Sequence, residues 1–400
     1  MLVNTHSYYS LRYGVVSPKD WVAFFKAQPW PFMALTDINN TSATMMVLHQ
    51  LRNTPGKRAI VGVDFRNGIK PCYVAIARNW EGVRQINEHL SWHLAHNVPF
   101  PERAPRELMD AWVIYPYHQR LAKEPLHNHE FVGVPPQVLP SLHLQWPSAL
   151  VHKLVAMPTA SFRSKRDYNA HRLLRAIDCN ELLSKLPSDQ HAPPTDRYLN
   201  DEELTKMYAA HPALLNHVHT LLEQCRVEMP EAPELNLQTY TGSKTKDLQL
   251  LRKLCLDGLS YRYPEVNFKV KERIDKELEL IAQKNFVSYF LINWDIVNYA
   301  QKKGYFYVGR GSGANSIVAY LLRITDVDPI ELDLYFERFI NLYRTSPPDF
   351  DLDFSWRDRD DITHYIFKRF PHTALLATYN TFQYKAVVRE LGKVFGLPKH

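Results

Sequence analysis

The stretch Pro348-Asp349-Phe350-Asp351-Leu352-Asp353-Phe354 constrains this 400-residue chain more than any other. With the two-residue period of a β-strand, Asp349, Asp351 and Asp353 fall on one face and Phe350, Leu352 and Phe354 on the other. Three carboxylates on one face repel one another unless cations sit between them. Alternate residues lie about 6.6 Å apart along a strand, so these side chains can converge on metal ions roughly 3.5 to 4 Å apart. Mg²⁺ suits them, because this hard ion takes a few carboxylate oxygens together with water and phosphate. The pattern predicts a two-metal phosphoryl-transfer site, and the alternative is a solvent-facing edge strand with its apolar residues turned inward.

Upstream, YFYVGRGSGANSIVAYLL is expected to run from a short strand, Tyr305 to Val308, through a glycine-rich loop into a helix beginning near Ala314. Gly309, Gly311 and Gly313 permit a tight turn and let backbone N–H groups approach phosphate oxygens. Arg310 and the helix N-terminus add positive potential, and the Ser312 hydroxyl adds a donor. A triphosphate is the expected guest. No Lys-Ser/Thr follows, so this is not a Walker A loop, and Ser316 stands where GxGxxG has its third glycine. On the loop alone, a turn that merely links strand to helix stays open as a reading.

The remaining sequence supplies the frame. A hydrophobic content of 45% suffices for two or more domains with their own cores. The net charge of +6 suits a polyanionic partner without requiring one. Cys72, Cys179, Cys225 and Cys255 are far apart with no CxxC pair, which argues against a zinc site or a disulfide framework and for a reducing cytoplasm. No signal peptide or apolar run of membrane-spanning length is visible.

From residue 1 to about 96, apolar runs alternate with helical stretches, the pattern of an α/β domain with a largely parallel sheet or barrel. The expected strands are Leu2 to His6, Phe32 to Thr36, Ala59 to Phe65 and Cys72 to Ala77. Ser17-Pro18 should open a helix with Trp21, Phe24 and Phe25 on its buried face, and a second helix is expected from Trp80 to His96. Residues 97–150 read as irregular connections around short strands. Further helices are expected over Asp167 to Leu186 and from Asp201. The Pro-bearing, TGSKTK-containing segment 226–246 reads as the main boundary, which gives domains at 1–245 and 246–400. Beyond it, Ile274, Leu278 and Ile281 mark one buried stripe and Phe290, Trp294 and Val297 the next, ending at Gly304.

The run GRGSGANSIVAYLLRITDVDPIELDLYFERFINLYRTSPPDFDLDF, with YFLINWDIVNYAQKKG before it and TYNTFQYKAVVRELGKVFGLP after it, closely resembles the polymerase core of the bacterial DNA polymerase III alpha subunits, the C-family replicative polymerases. The resemblance spans about residues 250 to 400. It implies part of a polymerase-beta-like nucleotidyltransferase palm (α+β), in which Gly309, Arg310, Gly311 and Ser312 meet the incoming nucleotide. Asp349 and Asp351 would hold two Mg²⁺, with Asp353 as a further ligand or supporting group. Arg338, Lys385 and Arg389 fall where the family has basic residues near DNA or triphosphate. The implied partners are primer-template DNA, dNTPs, and a sliding clamp and other replisome subunits reached through a further C-terminal part.

Residues 1–245 resemble the same family's PHP domain, a β/α barrel whose active members are metal-dependent phosphoesterases. Here the ligand pattern is depleted. The opening HxH is Asn4-Thr5-His6, the TDH is Thr36-Asp37-Ile38, the later Glu is Asp64, and Pro158-Thr159-Ala160-Ser161 lacks the usual Asp and His. So few ligands should bind metal poorly, which predicts a structural barrel without proofreading, with His6, Asp37 and Asp64 as a residual single-metal cluster. The absence of a further palm carboxylate before His400 suggests the front part of a longer polymerase, itself inactive. Two other function classes are weighed against this reading, a phosphoesterase run by the barrel and a non-catalytic DNA-binding scaffold.

Overall fold

The computed structural model describes residues 1–142, 146–229, 237–341, 343–344, 347–376 and 378–397. It contains two compact units, Met1–Glu231 with Asn380–His400, and Ala232–Tyr379. Pro230 and Pro233, read above as linker residues, lie outside the described residues.

The first unit is mixed α/β. Its strands are β1 (Asn4–Thr5), β2 (Phe32–Ile38), β3 (Arg58–Asn67), β4 (Lys70–Ala77), β5 (Ala111–Pro116), β6 (Glu130–Val134), β7 (Leu154–Ala156) and β8 (Thr159–Ala160). Strands β2 to β7 form one sheet in sequence order, and β1 pairs with β8 in parallel. The Ala34 N–H bonds to the Leu2 carbonyl at 3.0 Å, so the chain leading into β1 runs beside β2. The sheet expected from the sequence to be largely parallel is parallel at three of its five pairings. The β2–β3, β5–β6 and β6–β7 pairs are parallel, but β3–β4 and β4–β5 are antiparallel. For β3–β4 the cause is loop length: only Gly68 and Ile69 separate the two strands, enough for a hairpin and far too few for a parallel crossover.

Local signals explain the helices. The Ser17 hydroxyl accepts from the Asp20 N–H and Pro18 begins the helix Pro18–Ala27, which buries Trp21 and Phe25 fully. Asn79 caps Trp80–His96, and Asn97 ends it in the left-handed region. The helix expected to reach Leu186 ends at Cys179, because Asn180 takes φ 51° and returns its N–H to the last turn. Asn200 and Glu203 form a capping box on Asp201–Met207. Helix Tyr384–Val394 belongs to this unit and packs its end against Lys165–Cys179.

The second unit is built on three long helices, Lys244–Arg262, Phe268–Gln283 and Val287–Lys303. Leu251, Cys255, Ile274, Leu278, Ile281, Phe290 and Val297 are buried in one core, as the apolar stripes require. Gly304 closes the third helix at φ 72°. After it come β9 (Tyr307–Arg310), a tight turn over Gly311–Asn315, the short helix Ile317–Leu321, and β10 (Asp351–Phe354), which pairs with β9. Among the described residues no helix is long and apolar enough to cross a membrane, and all four cysteines are free.

Candidate nucleotide and metal site

The acidic segment is an antiparallel partner of the strand that feeds the glycine loop. Asp351 stands opposite Arg310, Leu352 opposite Gly309, Asp353 opposite Val308 and Phe354 opposite Tyr307. Phe350 and Leu352 pack against the unit's core, and Leu352 and Phe354 join a second apolar cluster with Ile296, Ala300 and Ile362. The Phe350 ring lies edge-on to Phe290 at 5.2 Å and stacks on Tyr289 at 5.4 Å. This apolar anchoring turns Asp351 and Asp353 outward together, where their side chains are 45% and 57% exposed. Asp349 precedes the paired segment and is exposed.

The cation between the carboxylates belongs to the protein. Arg310 Nε lies 2.5 Å from Asp353 Oδ2, and Arg310 NH1 lies 3.6 Å from Asp351 Oδ2. Asp353 above all, and Asp351 less, raises the arginine's pKa. Among the described residues, no three or more His, Cys, Asp and Glu side chains gather closely enough to hold a metal ion. Even so, the donors fit Mg²⁺: two hard, solvent-facing carboxylates on one strand face leave positions for water and phosphate. The loop leaves them room, since a Cβ on Gly311 would come within 2.6 Å of Asp351 Oδ2.

The glycine turn differs from the expectation in one respect that alters its electrostatics. The helix starts at Ile317, not near Ala314, and Gly311–Asn315 is a tight 3₁₀ turn. Ser316, in the place of the third glycine, is the N-cap, its hydroxyl accepting from the Ala319 N–H at 3.1 Å. The first amides of the helix point into the protein, where the fully buried Glu277 carboxylate accepts from Ile317 N–H at 3.1 Å, Val318 N–H at 3.2 Å and the Ser316 hydroxyl at 2.8 Å. Arg273 pairs with the same carboxylate at 2.7 Å and reaches the carbonyls of Asn315 and Leu334. Burial raises the Glu277 pKa, with Arg273 opposing it. The helix dipole is thus answered from inside, and what the loop offers a phosphate is Arg310 and the exposed Gly311 and Ser312. Glu277 was invisible to pattern reading, since a glutamate beside Lys276 and Glu279 on an amphipathic helix looks solvated.

Of the other basic candidates, Arg338 is exposed at the end of the turn Phe336–Arg338. Lys385 and Arg389 are exposed on Tyr384–Val394, in the first unit, and Arg389 pairs with Glu390 at 3.0 Å.

In the first unit, His6 and Asp64 meet at 3.1 Å, and the His6 Nδ1 bonds to the Ser161 hydroxyl at 2.9 Å. Asp37 is engaged elsewhere: it accepts from the Ser7 N–H and hydroxyl and from the Ser10 hydroxyl. The charge balancing Asp64 is Arg66, whose Nε and NH2 lie 2.9 and 2.6 Å from Oδ2. Burial would push Asp64 up, but Arg66 and His6 outweigh it and hold its pKa down to about 2. Burial lowers the His6 pKa and raises that of Asp37. Asp196, close enough to feel Arg66 and Asp64, is pushed up to about 7, chiefly by burial.

Residues 249–400 match the family model of the bacterial DNA polymerase III alpha NTPase domain. The chain is a relative of the DNA polymerase III alpha subunits. It is 37% identical over 237 residues to the alpha subunit of Bacillus subtilis, covering 58% of this chain and 21% of the relative. It is 35% identical over 257 residues to an error-prone DNA polymerase of Symbiobacterium thermophilum, covering 62% and 23%. To the alpha subunit of Ureaplasma parvum it is 28% identical over 405 residues, covering 99% of this chain and 39% of the relative. The chain thus spans well under half the length of these relatives.

Proposed function

We propose that this chain carries the nucleotide-binding turn and the first carboxylates of a replicative DNA polymerase, which adds dNTPs to a primer 3′-hydroxyl by two-metal nucleotidyl transfer. The observation that carries the reading is the antiparallel pairing of β10 with β9, which sets Asp351 against the mouth of the glycine turn. Asp349 and Asp351 would hold Mg²⁺, with Asp353 as a further ligand or supporting group; the metal when bound favours the alkoxide form of the attacking hydroxyl and neutralises the leaving pyrophosphate. Gly311 allows the turn to approach the phosphates, Ser312 donates a hydrogen bond, and Arg310 supplies positive charge. In this reading 246–400 is part of a polymerase-beta-like palm and 1–245 a PHP-type barrel. Primer-template DNA and dNTPs are the partners, the further C-terminal part would recruit clamp and replisome subunits, and the setting is the cytoplasm. Arg338, Lys385 and Arg389 are offered as contacts to DNA or triphosphate.

The barrel is proposed to be structural. Arg66 supplies, as a fixed guanidinium, the charge that a metal would bring to Asp64 and His6, which weighs against a phosphoesterase. The acidic face of β10 weighs against a passive DNA-binding scaffold, because uncompensated carboxylates repel phosphate.

The test is primer extension with Mg²⁺ and dNTPs by a polymerase carrying this chain. Asp351→Asn should abolish extension and leave the melting temperature unchanged, because the side chain is half exposed and fills no core volume. Normal extension by that variant would remove the carboxylate from the chemistry.

A further inference from the structure

Arg310 occupies a place that a simple phosphate ligand would not need. It is the last residue of β9 and the register partner of Asp351. Its guanidinium makes a fork on Asp353, with Nε 2.5 Å from Oδ2 and NH2 3.4 Å from Oδ1, while NH1 approaches Asp351 Oδ2 at 3.6 Å. Asp353 Oδ2, and more loosely Asp351 Oδ2, therefore already face an internal cation. A guanidinium and a metal ion cannot both sit against the same carboxylate oxygens, since two cations there repel and compete for the same lone pairs. The Arg310 side chain is 60% exposed and begins at the turn that carries Gly311 and Ser312. It can leave the acids without unpacking the core.

Accepting the site reading above, we infer that Arg310 is a positioning residue that exchanges partners. In the metal-free chain it neutralises Asp351 and Asp353, and it turns to the triphosphate once those carboxylates are taken by a divalent cation. The exchange couples the two ligands. Metal alone must displace an ion pair, whereas metal arriving with a nucleotide gives the displaced guanidinium a phosphate to fork onto.

Mn²⁺ binding to the 400-residue chain, followed by the paramagnetic resonance of the free ion, reads the first half of the exchange. Calorimetric titration of dATP at saturating Mn²⁺ reads the second. Arg310→Met should tighten Mn²⁺ binding by about two- to fivefold, as expected on removing a partly exposed ion-pair competitor. The same variant should weaken dATP binding by about tenfold or more, for loss of a charged hydrogen-bond donor. Arg310→Lys, which keeps the charge without the fork, should fall between. Opposite signs on the two ligands cannot come from a loosened fold, which would weaken both. Mn²⁺ binding by Arg310→Met that is absent, unchanged or weaker, or dATP binding that is no weaker, overturns the inference. An Asp349→Asn, Asp351→Asn, Asp353→Asn triple variant separates the two readings: Mn²⁺ binding that survives in it counts against the carboxylate site itself, whatever Arg310 does.

Discussion

The Glu277 carboxylate accepts the Ile317 N–H at 3.1 Å, so the helix leaving the glycine turn is tied to a buried charge on another helix. Glu277 is wholly buried and its partners are the Ser316 hydroxyl, the Val318 N–H and Arg273.

Removing that carboxylate should be costly. Glu277→Ala leaves two helix amides without partners and Arg273 half-buried without its carboxylate, which by comparison with other buried pairs costs about 3 to 5 kcal/mol. Urea unfolding at constant slope measures it. Glu277→Gln keeps the volume and one acceptor, so its loss should be smaller; equal stability for Glu277→Ala and the parent would show that the anchor is dispensable.

Gly311 is expected to tolerate no side chain without moving Asp351. Its φ is 78°, and an added Cβ would meet Asp351 Oδ2 at 2.6 Å. Gly311→Ala should lose about 1 to 2 kcal/mol from left-handed strain and also weaken Mn²⁺ binding. Gly304 has a similar φ of 72° with nothing within 4 Å of the added atom. Gly304→Ala should therefore show the stability loss alone, and parallel Mn²⁺ titrations of the two variants tell strain from displacement.

The pH dependence of the first unit should carry the mark of Asp196. With its folded pKa near 7 and its unfolded value in the ordinary carboxylate range, the folded chain binds more protons between about pH 4 and pH 7. Its contribution to stability therefore falls as pH rises through that window and levels off above it. Asp196→Asn, which mimics the neutral acid, should stabilise the chain by on the order of 2 to 4 kcal/mol at pH 8 and hardly at all at pH 4. Chemical denaturation at the two pH values decides, and an equal effect at both would exclude a titrating Asp196.

Much of the architecture was legible in the residues, because it rests on local rules. Ser17-Pro18 and Gly304 marked helix ends, the apolar stripe through Ile274, Leu278 and Ile281 marked a buried face, and alternation in the PDFDLDF run marked which side of that strand would be wet. The strand pairing was not legible. Whether β3 and β4 run parallel or antiparallel depends on a two-residue connection, and the helix after the glycine turn began later than expected because Ser316 caps it.

The sequence by itself determined the apolar faces and the helix ends, since periodicity and capping act over a few neighbours, but not the burial of a charged residue such as Glu277. Only the tertiary structure decided which charges meet: Arg310 on Asp351 and Asp353 across 41 and 43 positions of chain, Glu277 beneath a helix 40 residues on, and Asp64 against a histidine 58 residues before it. Long-range ion pairs leave no periodic trace, because their partners are brought together by the packing of elements and not by the spacing of residues.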